Sequence, residues 1–85
     1  MRIPEKVAVI TGAGSGFGEG IAKRFAQEGA KVVVADINGE GAERVADEIG
    51  DAAVAITTDV TSRSDTKAMI DLAVEKFGRL DCLIN

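Results

Sequence analysis

The chain has 85 residues, of which 46% are hydrophobic and 28% charged, a composition typical of a globular domain and not of a disordered chain. Its net charge is −4 and it has no basic cluster, so nucleic acid and anionic membranes are not expected as partners. No apolar run approaches the roughly 20 residues of a membrane span, and the first residues lack the apolar segment of a signal peptide. The single cysteine, Cys82, is predicted to be a small core residue, and we expect a cytoplasmic location.

Two missing residue types limit the chemistry of these 85 residues. The sequence contains no histidine and no tyrosine, which excludes histidine acid–base chemistry and tyrosine proton donation from this chain. No spacing of carboxylates suggests a metal site. We therefore predict no histidine or tyrosine catalytic residue and no metal ligand within the chain.

The first half of the chain alternates between strand and helix patterns. The apolar run at 6–10 is typical of a strand that is buried on both faces. After a glycine-rich loop, apolar residues recur at helical spacing until Gly29, which ends the helix. A second β-branched run at 31–35 ends at Asp36, and this predicts a second strand.

The same alternation continues to the end of the sequence. Asn38 is predicted to cap a second helix that ends at Gly50. A third strand is predicted at 53–57, and Ser62 with Asp65 has the spacing of a capping box for a third helix. The apolar stripe predicted for that helix comprises Met69, Ile70, Ala73, Val74 and Phe77. A fourth strand is predicted at 80–85.

This β-α-β-α-β-α-β order predicts a three-layer α/β fold with a parallel sheet. We expect the strand order 3-2-1-4, so that the direction of the strand order reverses beside the first strand. Ligands of open α/β sheets bind at such a reversal, outside the carboxyl ends of the strands. The glycine-rich loop leaves the first strand at this place.

The spacing of the loop, 11–18, decides between kinds of phosphate-binding loop. A P-loop is excluded because no Gly-Lys pair occurs in the chain, and the G-x-G-x-x-G fingerprint does not fit. The spacing that fits is G-x-x-x-G-x-G, on Gly12, Gly16 and Gly18. The amides of Ser15, Gly16 and Phe17 are predicted donors to a phosphate at the helix N-terminus. A purely structural tight turn is the weaker alternative, because four glycines exceed what a turn requires.

The sequence resembles the short-chain dehydrogenase/reductase family over essentially its whole length. The motifs that carry the resemblance are Thr-Gly-x-x-x-Gly-x-Gly from Thr11, Asp36 after strand 2, Asp59-Val60 after strand 3, the segment 77–81, and the final Leu-Ile-Asn. The resemblance implies a Rossmann-type domain in which Asp59 and Val60 contact adenine, and a cofactor-side or sheet-bracing role for Asn85. A strand-end turn is an alternative explanation of Asp59-Val60.

Asp36 lies eighteen residues beyond Gly18, close to the roughly 20 expected for the acid that binds the adenosine ribose. A carboxylate there repels a 2′-phosphate, so NAD is predicted as the cofactor in preference to NADP. Ile37, the next residue, is placed in the same predicted site. The alternative is that Asp36 is only a turn or helix-capping residue.

The resemblance further implies an oxidoreductase that transfers hydride between NAD(H) and an alcohol or ketone. Its Ser, Tyr, Lys and Asn catalytic positions fall outside the matched segment, so 1–85 is predicted to be the NAD-binding N-terminal portion of one domain, with a sheet truncated at the fourth strand. Alone it is expected to be inactive. The expected partners are a small-molecule substrate and further copies in a homo-oligomer. The alternative function is a stand-alone nucleotide-binding module or a structural or regulatory fragment.

Overall fold

The computed structural model describes residues 4–85 as seven alternating strands and helices. Its elements are β1 (Val7–Thr11), α1 (Gly16–Gln27), β2 (Lys31–Asp36), α2 (Gly39–Ile49), β3 (Ala53–Thr57), α3 (Arg63–Phe77) and β4 (Cys82–Ile84). All seven predicted elements are present. β3 has its predicted range, β1 is shifted by one residue, and β4 begins at Cys82 instead of residue 80.

The four strands form one parallel sheet in the order β3-β2-β1-β4, as predicted. Ala8 of β1 lies opposite Val32 of β2 on one side and Cys82 of β4 on the other. Two strands are therefore central, and their side chains are almost completely buried. The strand order reverses beside β1, whose carboxyl end leads into the glycine-rich loop.

Helices cover both faces of the sheet, which confirms the three-layer architecture. Alternate residues of β1 and β2, such as Ala8 and Val32, pack against α1 and α2. The intervening residues, such as Val9 and Val33, pack against α3. None of the helices within residues 4–85 is long and apolar enough to cross a membrane.

Two predictions about burial are wrong. Cys82 is exposed and is not a core residue, because it begins the edge strand β4, which has one neighbouring strand among the described residues. The apolar stripe of α3 is narrower than predicted, since Met69 and Ala73 are buried whereas Val74 is 50% exposed. A helical period identifies a stripe but does not show how much of it a four-stranded sheet covers.

Candidate functional site

The predicted site lies at the carboxyl ends of the strands, in an open cleft of about 450 Å³. Six of the ten predicted site residues line this cleft together with Thr11 and Thr58; the six are Gly12, Asp36, Ile37, Asp59, Val60 and Asn85. The other four, Ser15, Gly16, Phe17 and Gly18, lie outside its lining at the start of α1. The structure therefore places most of the predicted residues in one location, next to the glycine-rich loop.

Glycines of the loop meet two different requirements. Gly12 and Gly16 have φ values of +64° and +58°, in the left-handed region that favours glycine. Gly18 instead provides room, because a Cβ there would overlap the carbonyl of Gly12. Gly12 thus permits the exit of the chain from β1, and Gly18 lets the start of α1 lie against the loop.

The N-terminus of α1 points its amides out of the helix. Ser15 is the N-cap, and its side chain makes no capping hydrogen bond. The amides at the first positions of an α-helix have no acceptor within the helix. Here these are the amides of Gly16, Phe17 and Gly18. The side chain of Phe17 is 88% exposed. An anion at this end of the helix has backbone donors and the helix dipole available to it.

Asp36 connects the glycine-rich loop to the end of β2. One of its carboxylate oxygens accepts from the amide of Gly14 at 2.8 Å, and the other accepts from the amide of Asn38 at 2.9 Å. The turn contact that was the alternative explanation of Asp36 is thus present. Since a carboxylate offers about four acceptor positions, these two bonds leave capacity for hydroxyl groups of a ligand.

The segment at Asp59 is held from both sides. Its carboxylate accepts from the amide and the hydroxyl of Thr61, and these hydrogen bonds hold the pKa of Asp59 below its usual range. Its amide donates to the carboxylate of Asp65 at 3.0 Å. Ser62 caps α3 by accepting from the amide of Asp65. The predicted capping box is therefore half formed, because the Asp65 carboxylate bonds to Asp59 instead.

Asn85 lies beside Thr11 across the β1–β4 pair. The hydroxyl of Thr11 is 3.1 Å from the side-chain oxygen of Asn85 and 3.3 Å from the carbonyl of Ile84. These contacts brace the carboxyl ends of the two strands. They agree with the sheet-bracing role that was one of the two expected for Asn85.

Sequence reasoning missed several contacts of this region, and it did not single out Thr58. Gly14 contacts Asp36, Asp65 holds Asp59, and Thr11 contacts Asn85. Thr58 lines the cleft although it is only 2% exposed, and its hydroxyl has no hydrogen-bond partner among the described residues. Thr11 and Thr58 lie at the ends of strands, and this position in the sequence could have identified them as residues of the cleft. The contacts of Gly14 and Asp65 had no such signal.

Arg44 of α2 was also missed, and it belongs to an ion-pair network between α1 and α2. Its guanidinium contacts Glu19 at 2.8 Å and Glu48 at 2.9 Å, and it reaches the carbonyl of Gly14 at 3.3 Å. Hydrogen bonds from Arg44 and then Lys23 lower the pKa of Glu19 from 4.5 to about 2. Glu19 therefore remains ionised across the physiological pH range.

The cleft combines carboxylates, apolar side chains and, at the adjoining helix end, free amides. Residues 4–85 contain no group of three or more potential metal ligands. An open parallel sheet with a glycine-rich loop after its first strand is typical of nucleotide-binding α/β proteins.

A family model described as short chain dehydrogenase matches residues 6–85. The chain therefore belongs to the short-chain dehydrogenase family.

Relatives and solved structures agree with this assignment. The chain is 47% identical over 88 residues to a 7alpha-hydroxysteroid dehydrogenase of Escherichia coli K12, covering 100% of this chain and 34% of that protein. It superimposes with a TM-score of 0.92 on a 3-ketoacyl-(acyl-carrier-protein) reductase from Brucella melitensis complexed with NADH, with 59% identity, over 94% of this chain and 33% of the other. A 7 alpha-hydroxysteroid dehydrogenase complexed with NADH and 7-oxo glycochenodeoxycholic acid gives a TM-score of 0.94 and 46% identity, over 99% and 34% of the two chains. The chain thus spans about one third of the length of these oxidoreductases.

Proposed function

We propose that the chain is the NAD-binding part of a short-chain oxidoreductase that transfers hydride between NAD(H) and an alcohol or ketone. The observation that carries this proposal is the hydrogen bond between the Asp36 carboxylate and the glycine-rich loop, which leaves β1 at the reversal in strand order. The cleft then offers acceptors for hydroxyl groups, and the adjoining start of α1 offers amides for phosphates. A dinucleotide needs both at once. The NADH in two solved relatives supports the same cofactor class.

Five residues of the cleft have separate parts in the proposed binding. The free acceptor positions of Asp36 take the hydroxyls of the adenosine ribose, and Ile37 packs against that nucleoside. Asp59 and Val60 bind adenine, the former by its carboxylate and the latter by backbone and packing. Asn85 lies on the cofactor side of β4.

The pyrophosphate is assigned to the start of α1. The amides of Ser15, Gly16 and Phe17 donate to it, and Gly12 and Gly18 allow the loop to lie close to it. When NAD is bound, it supplies the hydride acceptor, and the residues of this chain hold and orient the NAD. The 85 residues contain no tyrosine and so cannot supply the tyrosine of the family's catalytic positions, and alone they are proposed to bind without turnover.

The cleft favours NAD over NADP by charge. Asp36 and Asp59 are both in its lining, and none of the lining residues is a lysine or arginine. A 2′-phosphate near Asp36 would place like charges together in a partly buried site, which is unfavourable. For the protein as a whole, we also propose a small-molecule substrate, a homo-oligomeric state and a cytoplasmic location.

The test is calorimetric titration of the chain with NAD and NADP, for the wild type and Asp36→Asn. The wild type is expected to prefer NAD. Asparagine keeps the size and one acceptor oxygen but removes the charge, so the preference for NAD is expected to fall by about tenfold. Asp51→Asn is the matched control, because Asp51 is exposed in the turn before β3 and is not part of the cleft.

Equal affinity of the wild type for the two cofactors would contradict the role of Asp36. Failure to bind either cofactor would overturn the proposed function, and so would the same loss of preference in the Asp51 control. Oxidation of a secondary alcohol by the 85-residue chain would contradict the statement that it binds without turnover.

A further inference from the structure

Gly14 is the one glycine of the loop that the G-x-x-x-G-x-G spacing does not use, yet both of its backbone polar groups are engaged. Its amide donates to the Asp36 carboxylate at 2.8 Å, and its carbonyl accepts from the Arg44 guanidinium at 3.3 Å. Both partners are side chains distant in sequence, one at the end of β2 and one on α2. The orientation of this peptide segment is therefore set from two sides.

Packing against α2 leaves the loop little room at this point. A Cβ at Gly14 would be 2.9 Å from a carboxylate oxygen of Asp36 and 3.0 Å from the amide nitrogen of Ala42. A Cβ at Gly41 would be 2.7 Å from the Gly14 carbonyl. The loop thus lies directly on the first turn of α2, and Arg44, in the next turn, reaches back to it.

Glu19 holds the Arg44 guanidinium in this position, because its carboxylate accepts from both terminal nitrogens. Glu19 of α1 and Glu48 of α2 both contact it, and Glu19 is shared with Lys23. A guanidinium can satisfy several acceptors at once because its donors are arranged in a planar fork. Arg44 consequently connects α1, α2 and the glycine-rich loop through one side chain.

We propose that Arg44 is a positioning residue of the dinucleotide site, which holds the Gly14 carbonyl and so keeps the Gly14 amide on Asp36. This inference rests on the proposed function for its effect on NAD. Without Arg44 the Gly14 segment can rotate, and Asp36 and the amides of α1 lose their fixed separation. A ligand that must contact both then pays an ordering cost when it binds.

The first measurement needs no ligand. Amide hydrogen exchange by NMR follows Gly14 in the wild type and in Arg44→Met, which keeps the aliphatic stem without the charge. We expect exchange at Gly14 to become about tenfold faster, while exchange at Val33, in the centre of the sheet, stays unchanged. Equal acceleration at both residues would mean a loss of overall stability and would overturn the positioning role.

Two control variants separate the Gly14 contact from ion pairing in general. Lys67→Met removes an exposed ion pair with Asp71 on α3, far along the chain from the loop. Glu48→Gln weakens the network but leaves the Arg44–Gly14 hydrogen bond possible. Neither is expected to change exchange at Gly14 by more than about twofold. An effect of Glu48→Gln as large as that of Arg44→Met would contradict the proposal.

The second measurement is the affinity for NAD by calorimetry in the same four proteins. Arg44→Met is expected to weaken binding by about threefold to tenfold, and the two controls by less than about twofold. Unchanged affinity in Arg44→Met, alongside faster exchange at Gly14, would overturn the positioning role while leaving the proposed function intact. If the wild type does not bind NAD, the proposed function fails, and the exchange data still decide whether Arg44 holds the loop.

Discussion

At the scale of single residues, the loop shows that its glycines are not interchangeable. Gly12 and Gly16 have room for a side chain, because a Cβ at either position would meet no atom within 4 Å. Glycine is needed there for the positive φ values instead. Gly14 and Gly18 are needed for the space that a side chain would occupy. The same glycine-to-alanine substitution should therefore change stability differently at different positions.

Gly18→Ala and Gly20→Ala are expected to have opposite effects on stability. Both residues lie in α1, but a Cβ at Gly18 overlaps the Gly12 carbonyl, whereas a Cβ at Gly20 meets nothing within 4 Å. Gly18→Ala should lower the free energy of unfolding by about 1–3 kcal/mol because the backbone must shift. Gly20→Ala should raise it by about 0.5–1 kcal/mol through helix propensity. Urea denaturation measures both, and a stabilising Gly18→Ala would disprove the close packing of the loop.

How well the sequence predicts the role of a single residue depends on how far along the chain its contacts lie. The caps Asn38 and Ser62 act within a few residues of themselves, so local pattern was enough to predict them. The contact between Gly14 and Arg44 joins positions 30 residues apart, and no periodicity encodes it. Cys82 was placed in the core because its neighbours are apolar, but burial at a strand end depends on which strand lies at the edge.

At the scale of elements, alternating apolar runs and helical periods predicted every helix and strand. The contacts between elements are less predictable. The network of Glu19, Lys23, Arg44 and Glu48 lies between α1 and α2, and only the pairs four residues apart are visible as a spacing in the sequence. Its electrostatic effect is seen in Glu19, whose pKa is lowered to about 2 by hydrogen bonds from Arg44 and then Lys23.

The α1–α2 network should make stability depend on pH in acid. The pKa of Glu19 is lower in the folded chain than its ordinary value of 4.5, so the unfolded state binds the proton more readily. The stabilisation by Glu19 is therefore complete above pH 4.5 and is lost as the pH falls towards about 2. Wild type and Glu19→Gln, compared by urea denaturation, should differ most near neutral pH and converge over this window. A difference that is independent of pH would show that Glu19 is not paired in solution.

At the scale of the whole molecule, the two faces of the sheet are covered unequally. Within residues 4–85, two helices, α1 and α2, pack on one face, and α3 is the one helix on the other. The layer arrangement followed from the alternation of elements, because parallel strands need crossover helices. The unequal cover reflects the number of helices on each face. The sequence could not show which part of the α3 stripe contacts the sheet. Val74 lies outside that contact and Met69 within it.

The α3 face therefore depends on a few side chains, and Met69 is the largest fully buried one that the helix contributes. Met69→Ala is expected to lower the free energy of unfolding by about 2–5 kcal/mol, because it leaves a cavity that one helix cannot close. Domains are stable by only about 5–15 kcal/mol, so this change should unfold a large fraction of the chain at moderate temperature. Val74→Ala, on the same helix but 50% exposed, should cost less than about 1 kcal/mol. Thermal and urea unfolding of both variants provide the comparison, and equal losses would mean that α3 contacts the sheet through a different side of the helix.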